Sequence, residues 1–538
     1  MTQDEKSWLK PLPNDMSAVT EGSAEILFDK DSVFYNPIQQ FNRDMSVAAI
    51  KVWSQNFLQG KRKKMEKKNS SNCSEEASSE NAVKEERKEE QEVWFNVSDK
   101  LSDKQKQRKL SQLKCMKQAA SKLTTTEPID VEDMAYDGLF FTILEALAAS
   151  GLRSIRYAKE IPKVRRILTN DLSSEAVHSI ERNARHNGVE KIITPNKGDA
   201  NQTFYKLLGE GRKYDVVDLD PYGSAAPFLD AAIQTVSDGG LLCVTCTDLA
   251  VLAGSQPESC FGKYGGINVP NSSYTHELAL RILLHSIQST AAKYRRGIEV
   301  LMSCHIDYYV RVFVVVRHSA TLMKEASSKT AMLNACVVCG SFKVQPLGKL
   351  IKTAKGSKYG PAQCKSEQFC SVCTSQTHIA GPFYSAPIHN ETFLLQMIRH
   401  LGTDGKEQYG TWERMAGMVV VMQEELEDCP LYLVLPKMCN VIHSSTPSLP
   451  VFMYTFYMTS FFNFSRAGLL STGYRASQSH ACQQAIKTDA PQSVVWDVLK
   501  KWVNEHAPLT KVNEKSPGAK IMGVESSTYV FPMPSNPI

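Results

Sequence analysis

At 538 residues the chain is too long for one ordinary hydrophobic core, so two or more domains with connecting segments are expected. Apolar residues make up 42% and charged residues 22%, the balance of a soluble globular protein, and no uninterrupted apolar run is long enough to span a bilayer. The formal charge of +5 is small for this length, so a nucleic-acid partner must be argued from where the positive charge sits.

The start, MTQDEKSWLKPLPND, has neither the apolar stretch of a secretory signal nor the Arg-rich, acid-poor character of a mitochondrial presequence, so an intracellular monomer is expected. Residues 1–23 read as a flexible start. From 24 to 59, ILF, VFYNP and the amphipathic SVAAIKVWSQNFL predict a short strand region and a helix. Residues 60–133 are dominated by Lys, Glu, Ser and Gln and are expected to be a largely disordered insertion. Its basic start, Lys61-Arg62-Lys63-Lys64, fits a nuclear import signal, an RNA contact or a solvated linker.

Between 134 and 318 apolar runs alternate with helical periodicity. FFTILEALAA, RRILTND, KIITPNKGD, YDVVDLD and GLLCVTCTD read as buried strands; SIRYAKEI, SSEAVHSIERNARHNG, NQTFYKLLG, AAPFLDAAIQTVSDGG and HELALRILLHSIQSTAAKYR read as helices. The alternation predicts an α/β, Rossmann-like parallel sheet with helices on both faces, closed by a hairpin within EVLMSCHIDYYVRVFVVV. Residues 319–505 read as a second, α+β domain, and 506–538 as an irregular tail.

In such a sheet a ligand sits at the carboxyl ends of the strands, and the residues there form an ordered series. The first loop, Ala149-Ser150-Gly151-Leu152-Arg153, has small residues for close backbone approach and an arginine able to grip a carboxylate with two prongs. The second strand ends in Asn170-Asp171, where an acid commonly accepts ribose hydroxyls, and the third in Gly198-Asp199-Ala200, beside an adenine edge. Each acid taken singly would serve as a helix cap, Asp171 ahead of SSEA above all. The first loop lacks the G-x-G-x-x-G that admits a pyrophosphate, so an adenosine without phosphates fits better than a dinucleotide.

The fourth strand ends in Asp220-Pro221-Tyr222-Gly223. Alone this is a good type I turn. Between a buried strand and a helix it is similar to the acid-Pro-Pro-aromatic signature of amino-group methyltransferases, which use S-adenosylmethionine. A base amine is a poor nucleophile because its lone pair is delocalised; Asp220 would accept its N–H bonds, Pro221 would fix the turn, and Tyr222 would offer a flat face to an unstacked base.

In the second domain Cys336-Val-Val-Cys339 and Cys370-Ser-Val-Cys373 are two C-x-x-C pairs of the kind that hold a tetrahedral zinc, with Cys364 as a competing ligand or bystander. Most other cysteines, such as Cys243 and Cys246, lie singly in apolar runs and read as small hydrophobes. Between the pairs Lys343, Lys349, Lys352, Lys355, Lys358 and Lys365 have few acids among them, a pattern that fits phosphate contacts.

The chain resembles the tRNA (guanine-N2)-dimethyltransferase family, which acts on guanine 26 of tRNA. The segments that carry the resemblance are FYNPIQQFNRDMSVAAI, LEALAASGLRSIRYA, NDLSSEAV, GDAN, DLDPYGSAAPFLDAA, TCTDLAVLAGSQPESCFGKYG, IAGPFYSAPIH, HSSTPSLP and SHACQQAIKTDAP. The resemblance implies S-adenosylmethionine contacts at Arg43, Arg153, Asp171, Asp199 and Ala200, catalysis by Asp220, and a paired-cysteine element for a structural zinc. It also implies a tRNA-gripping domain around Arg475, His480 and Lys487. The Lys61–Lys64 run favours a nuclear location, with the cytoplasm or mitochondrion as further locations.

Two departures stand against the family pattern. Animal members often continue into a basic tail with a Cys-and-His finger that this chain lacks, which predicts weaker tRNA binding. MYTFYMTSFFNFSR, 14 residues at 453–466, interrupts the expected passage and predicts a less stable second domain. The competing functions are methylation of adenine N6 or a protein glutamine, and a tRNA-binding protein or chaperone with impaired catalysis.

Overall fold

A computed structural model describes residues 16–29, 35–72, 139–353, 356–365, 367–448, 474–507 and 516–524. Residues 16–21, expected to be part of a flexible start, form β1 (Met16–Glu21), which pairs antiparallel with β2 (Ala24–Asp29). The reason lies at the strand's end, where Glu21 is buried as the partner of two arginines.

Helix α1 (Gln40–Asn72) follows and runs straight through Lys61–Lys64, which sequence reading placed in the insertion. Lys and Glu are good helix formers, and the turn is anchored: Lys61 lies 3.5 Å from Asp215 and over the Phe57 ring. The remainder of the charged segment, and the 453–466 insert, lie outside the described residues.

The central unit alternates as expected: β3 (Phe141–Glu145), α2 (Leu152–Glu160), β4 (Val164–Asp171), α3 (Ser174–His186), β5 (Ile193–Lys197), α4 (Ala200–Gly209), β6 (Tyr214–Leu219), α5 (Leu229–Thr235), β7 (Val236–Cys246), α6 (Pro257–Tyr264), α7 (Thr275–Lys293), β8 (Arg296–Ile306) and β9 (Tyr309–His318). One difference is α5. It stops at Thr235, and VSDGG belongs to β7, because Arg296 takes the carbonyls of Val236 and Ser237 at 2.9 and 3.0 Å.

The sheet order is β5-β4-β3-β6-β7-β9-β8, parallel except for β9, which runs against both neighbours. Connections from β3 run outward through β4 and β5, whereas β6 lies on β3's other side. The β3/β6 boundary is therefore the switch point whose crevice receives ligands. One face is covered by α4, α5 and α7 through Phe204, Leu229, Leu280 and Leu284, the other by α1, α2 and α3 through Ile50, Trp53, Ile155 and Ile180.

Beyond residue 318 lie a three-stranded sheet of β10 (Thr330–Ala335), β11 (Phe342–Pro346) and β14 (His378–Tyr384), and a hairpin of β12 (Gly348–Thr353) and β13 (Gly356–Pro361). Helices α8 (Glu391–Thr403) and α9 (Trp412–Glu424) pack Phe393, Met397 and Met415 into the same core as α1. A last sheet of β15 (Leu433–Val434), β16 (Ala476–Ser479) and β17 (Cys482–Thr488) packs with α10 (Gln492–His506) around Trp496. The tail, expected to be irregular, contains a helix at Pro517–Gly523, capped by Ser516 with proline in its first turn and Ile521 buried.

Candidate active site

The loops after β3, β4, β5 and β6 are fastened to one another at the switch point. Asp171 accepts from Ala149 N at 2.8 Å and from Ser173 N at 2.9 Å, so it shapes the first loop. It does not cap α3; Ser173 does, accepting from Glu175 N and Ala176 N. Asp199 caps α4 through Gln202 N at 3.0 Å, and the next residue, Ala200, is buried. Gly151 sits at φ 79°, and a Cβ there would come 3.1 Å from Ile180 Cγ1.

Sequence reasoning passed over Asn170. Its side chain donates to Ala146 O at 2.9 Å and Gly198 O at 3.0 Å and accepts from Asn196 and Thr203. One amide thus ties three loop origins together. Its only signal was its place beside Asp171.

At β6 the carboxylate of Asp220 pairs with the guanidinium of Arg153. Arg153 also lies 3.5 Å from Asp218, 3.7 Å from Glu145 and 3.2 Å from Ser46 Oγ on α1. Asp218 is further held by Arg311 at 2.9 Å and Tyr157 OH at 2.6 Å. Burial pushes the Asp218 carboxyl up, but Arg311 and Arg153 outweigh it and hold it below the usual range. For Glu145 burial wins over Arg153, and its pKa is pushed up to about 8. Near neutral pH the cluster therefore balances two arginines against Asp218 and Asp220, with Glu145 protonated.

The expectation that Arg153 grips a carboxylate is met by the protein's own acids. Arg43, which spacing alone did not reveal, is likewise paired, its Nε 2.6 Å from Glu21, with Arg156 joining Glu21 to Asp44 at 2.8 and 2.6 Å. Arg43 stands one turn before Ser46 on α1, so the helix carries Arg43 and the support of Arg153 on the same stretch.

Pro221 is buried, whereas Tyr222 is 94% exposed and presents its ring outward. The turn is braced by the next loop: Gly223, at φ 85°, donates to Thr247 Oγ1 at 2.7 Å and accepts from Thr247 N at 2.9 Å. Ser224 meets Tyr264 OH at 2.6 Å, which donates to Asp248 at 2.7 Å. Thr247, Asp248 and Tyr264 lie in the TCTDLAVLAGSQPESCFGKYG segment, where sequence reading gave them no role.

The four cysteines converge. Cys336, Cys339, Cys370 and Cys373 place their sulfurs within 4.8 Å of one another, with Cys336–Cys373 at 3.5 Å and Cys339–Cys370 at 3.6 Å. A tetrahedron of zinc–sulfur bonds of about 2.3 Å has edges of about 3.8 Å, so the set fits that ion. The two knuckles match: Gly340 N donates to Cys336 O and Thr374 N to Cys370 O, both at 2.9 Å and both at positive φ. Cys364 is exposed and outside the cluster.

Lys349, Lys352 and Lys358 are exposed on the β12–β13 hairpin; Lys343 is paired with Glu367 at 2.6 Å. His480 and Lys487 are not phosphate-facing. Both contact Glu425, and Lys487 also lies 3.1 Å from Glu277, in a buried network. His389, Glu425 and His480 approach one another closely, but the Lys487 ammonium 3.1 Å from Glu425 already neutralises that carboxylate, which disfavours a metal there. Arg475 is exposed and tied to Asp428 and Asp489.

Residues 15–500 match the family model described as N2,N2-dimethylguanosine tRNA methyltransferase. The tRNA (guanine(26)-N(2))-dimethyltransferase of Schizosaccharomyces pombe is 42% identical over 94% of this chain and 85% of its own length. The mitochondrial enzyme of that name from Saccharomyces cerevisiae is 40% identical over 94% and 83%, and that of Homo sapiens 37% over 96% and 73%. Among solved structures, Trm1 from Pyrococcus horikoshii with S-adenosyl-L-methionine shares the fold, with a TM-score of 0.62 at 22% identity over 90% of this chain and 99% of that one.

Proposed function

The chain belongs to the N2,N2-dimethylguanosine tRNA methyltransferase family, and from that premise we propose that it transfers one or two methyl groups from S-adenosylmethionine to the exocyclic N2 of guanine 26 in tRNA. The observation that carries the reading is the Asp220 turn, braced by Thr247 and charge-balanced by Arg153 at the switch point of the sheet.

S-adenosylmethionine, when bound, supplies an electrophilic methyl on a sulfonium. Asp171 and Asp199 would hold its ribose and adenine, beside the backbone of Ala200, with Arg43 and Arg153 assigned to the amino-acid end. Asp220 accepts an N2–H bond of the base and so directs the nitrogen lone pair at the methyl carbon. With the methyl delivered to N2 from the sulfonium, Asp220 would be the group that takes up the surplus N2 proton. Arg153, paired with the Asp220 carboxylate, fixes its orientation. Tyr222, free of protein contacts over most of its ring, stacks on the unstacked base.

Cys336, Cys339, Cys370 and Cys373 hold a structural zinc, which joins the loops after β10 and before β14. The exposed lysines of the β12–β13 hairpin meet tRNA phosphates. A non-catalytic tRNA binder is disfavoured, because every acid in the ordered series, from Asp171 to Asp220, is retained. The test is Asp220→Ala: titration calorimetry should find cofactor and tRNA binding retained while methyl transfer falls by at least about 100-fold. Normal transfer by this variant would mean that another group orients the amine.

A further inference from the structure

Strand β9 places beside Asp220 a side chain that the methyl-transfer reading leaves unused. Side chains alternate along β6, so Asp218 and Asp220 share a face, and Arg311, bound to Asp218 at 2.9 Å, puts Tyr309 of β9 on that face too. The registers fix the level. Asp218 is opposite Cys243 of β7, and Thr245, two residues on, is opposite Arg311. Asp220, the first residue past β6, follows on at the level of Arg311, and Tyr309 lies one pleat nearer the loop edge, close enough for the Asp220 carboxylate to act on its phenol.

Tyr309 is 2% exposed, and its hydroxyl has no hydrogen-bond partner among the described residues. A buried phenol without a protein partner costs stability, so an orphan hydroxyl beside a site is a donor available to a bound substrate. Burial raises its pKa, and the Cys304 thiol and then Asp220 raise it further, so it is a neutral hydroxyl with a proton to donate. The turn before it is anchored as well. Asp307, at φ 45°, is bound to Arg414 at 2.8 Å, and the Arg414 guanidinium lies 4.6 Å from the Phe41 ring on α1.

We propose that the Tyr309 hydroxyl donates a hydrogen bond to O6 of the target guanine and is a positioning residue for the transfer. The proposal rests on the guanine-N2 reading of the site. The edge of guanine that carries N2 presents N2–H and N1–H donors and the O6 acceptor. Asp220, an acceptor, suits the donors and cannot serve O6. Arg153 is committed to Asp218 and Asp220. Among the described residues Arg311 also keeps unpartnered N–H groups on this face, but its charge is tied to Asp218 at 2.9 Å. Tyr309 is the neutral unspent donor nearer the loop edge, and a base held at both ends of that edge cannot rotate N2 away from the methyl group.

The experiment is a protein-by-substrate cycle: wild type and Tyr309→Phe, each with tRNA carrying guanosine or 6-thioguanosine at position 26. The thio base keeps both N–H donors and weakens only the acceptor. On guanosine tRNA, Tyr309→Phe should lower kcat/KM by about tenfold, the worth of one such hydrogen bond. Wild type should lose a similar factor on the thio substrate, and the variant should lose little more. Cofactor affinity should be unchanged and Tm equal or higher, since an orphan hydroxyl has been removed. Additive losses, a drop in cofactor affinity or a lower Tm would overturn the proposal, the last two by giving the hydroxyl to the cofactor or to the fold. Wild-type turnover of guanosine tRNA is the control: its absence sinks the functional reading and this proposal together, whereas additive losses with turnover intact sink this proposal alone.

Discussion

Arg153 of α2 and Asp220 at the end of β6 form an ion pair across the switch point of the sheet, 67 residues apart in sequence. The pair joins the loop that would receive the cofactor's amino-acid end to the carboxylate that would hold the base. Its strength comes from its surroundings, because Arg153 is buried and also answers Asp218.

Removing the charge of Arg153 should therefore cost both stability and activity. Arg153→Met leaves Asp218 and Asp220 facing one arginine instead of two, and the loss of one partner from a buried set is worth about 3–5 kcal/mol. Arg153→Lys keeps the charge but loses the fork that spans two acids, so it should recover much of the stability and little of the transfer rate. Denaturant melts alongside single-turnover methylation would separate the two. Equal recovery of both would mean that the fork is not required.

Glu145 gives the same cluster a pH dependence. Its ordinary pKa of 4.5 is raised to about 8 by burial, so between these values the folded chain holds a proton that the unfolded chain has lost. The contribution is full below about pH 4.5, declines as pH rises and is lost above about 8. Glu145→Gln, neutral throughout, removes that decline. Its Tm relative to wild type should rise by several degrees between pH 5 and pH 8.5. A difference in Tm that is flat over this range would contradict a protonated Glu145.

The cysteine cluster makes a compositional prediction. The purified chain should contain one zinc per molecule by elemental analysis, and Cys370→Ser should lose it. Because the cluster belongs to the core that includes Trp496, the same substitution should lower Tm and expose that indole to fluorescence quenching. Full zinc content in Cys370→Ser would assign the ion elsewhere.

Sequence legibility followed the range of the interactions. The strand–helix alternation, the four loop ends and both C-x-x-C pairs are local patterns, and the structure gathers each where periodicity and spacing placed it. What escaped notice depends on partners far along the chain. Met16–Glu21 is a strand because Glu21 neutralises Arg43 and Arg156. Asn170, Thr247 and Tyr264 brace loops through bonds that spacing does not encode. The resemblance put Lys487 in a tRNA-gripping region without assigning it a contact, because sequence shows its charge and hides its burial between Glu277 and Glu425. The end of α5 shifted because Arg296, 60 residues on, bonds the carbonyl of Val236.

The most direct test of the central claim is nucleoside mass spectrometry of unmodified tRNA incubated with the purified chain and methyl-labelled S-adenosylmethionine. Label should appear in N2-methylguanosine or N2,N2-dimethylguanosine, and should vanish when guanine 26 is replaced by adenine. Absence of both nucleosides, or undiminished label on the adenine-26 transcript, would contradict the assignment of Asp220 and its loop to guanine N2 at that position.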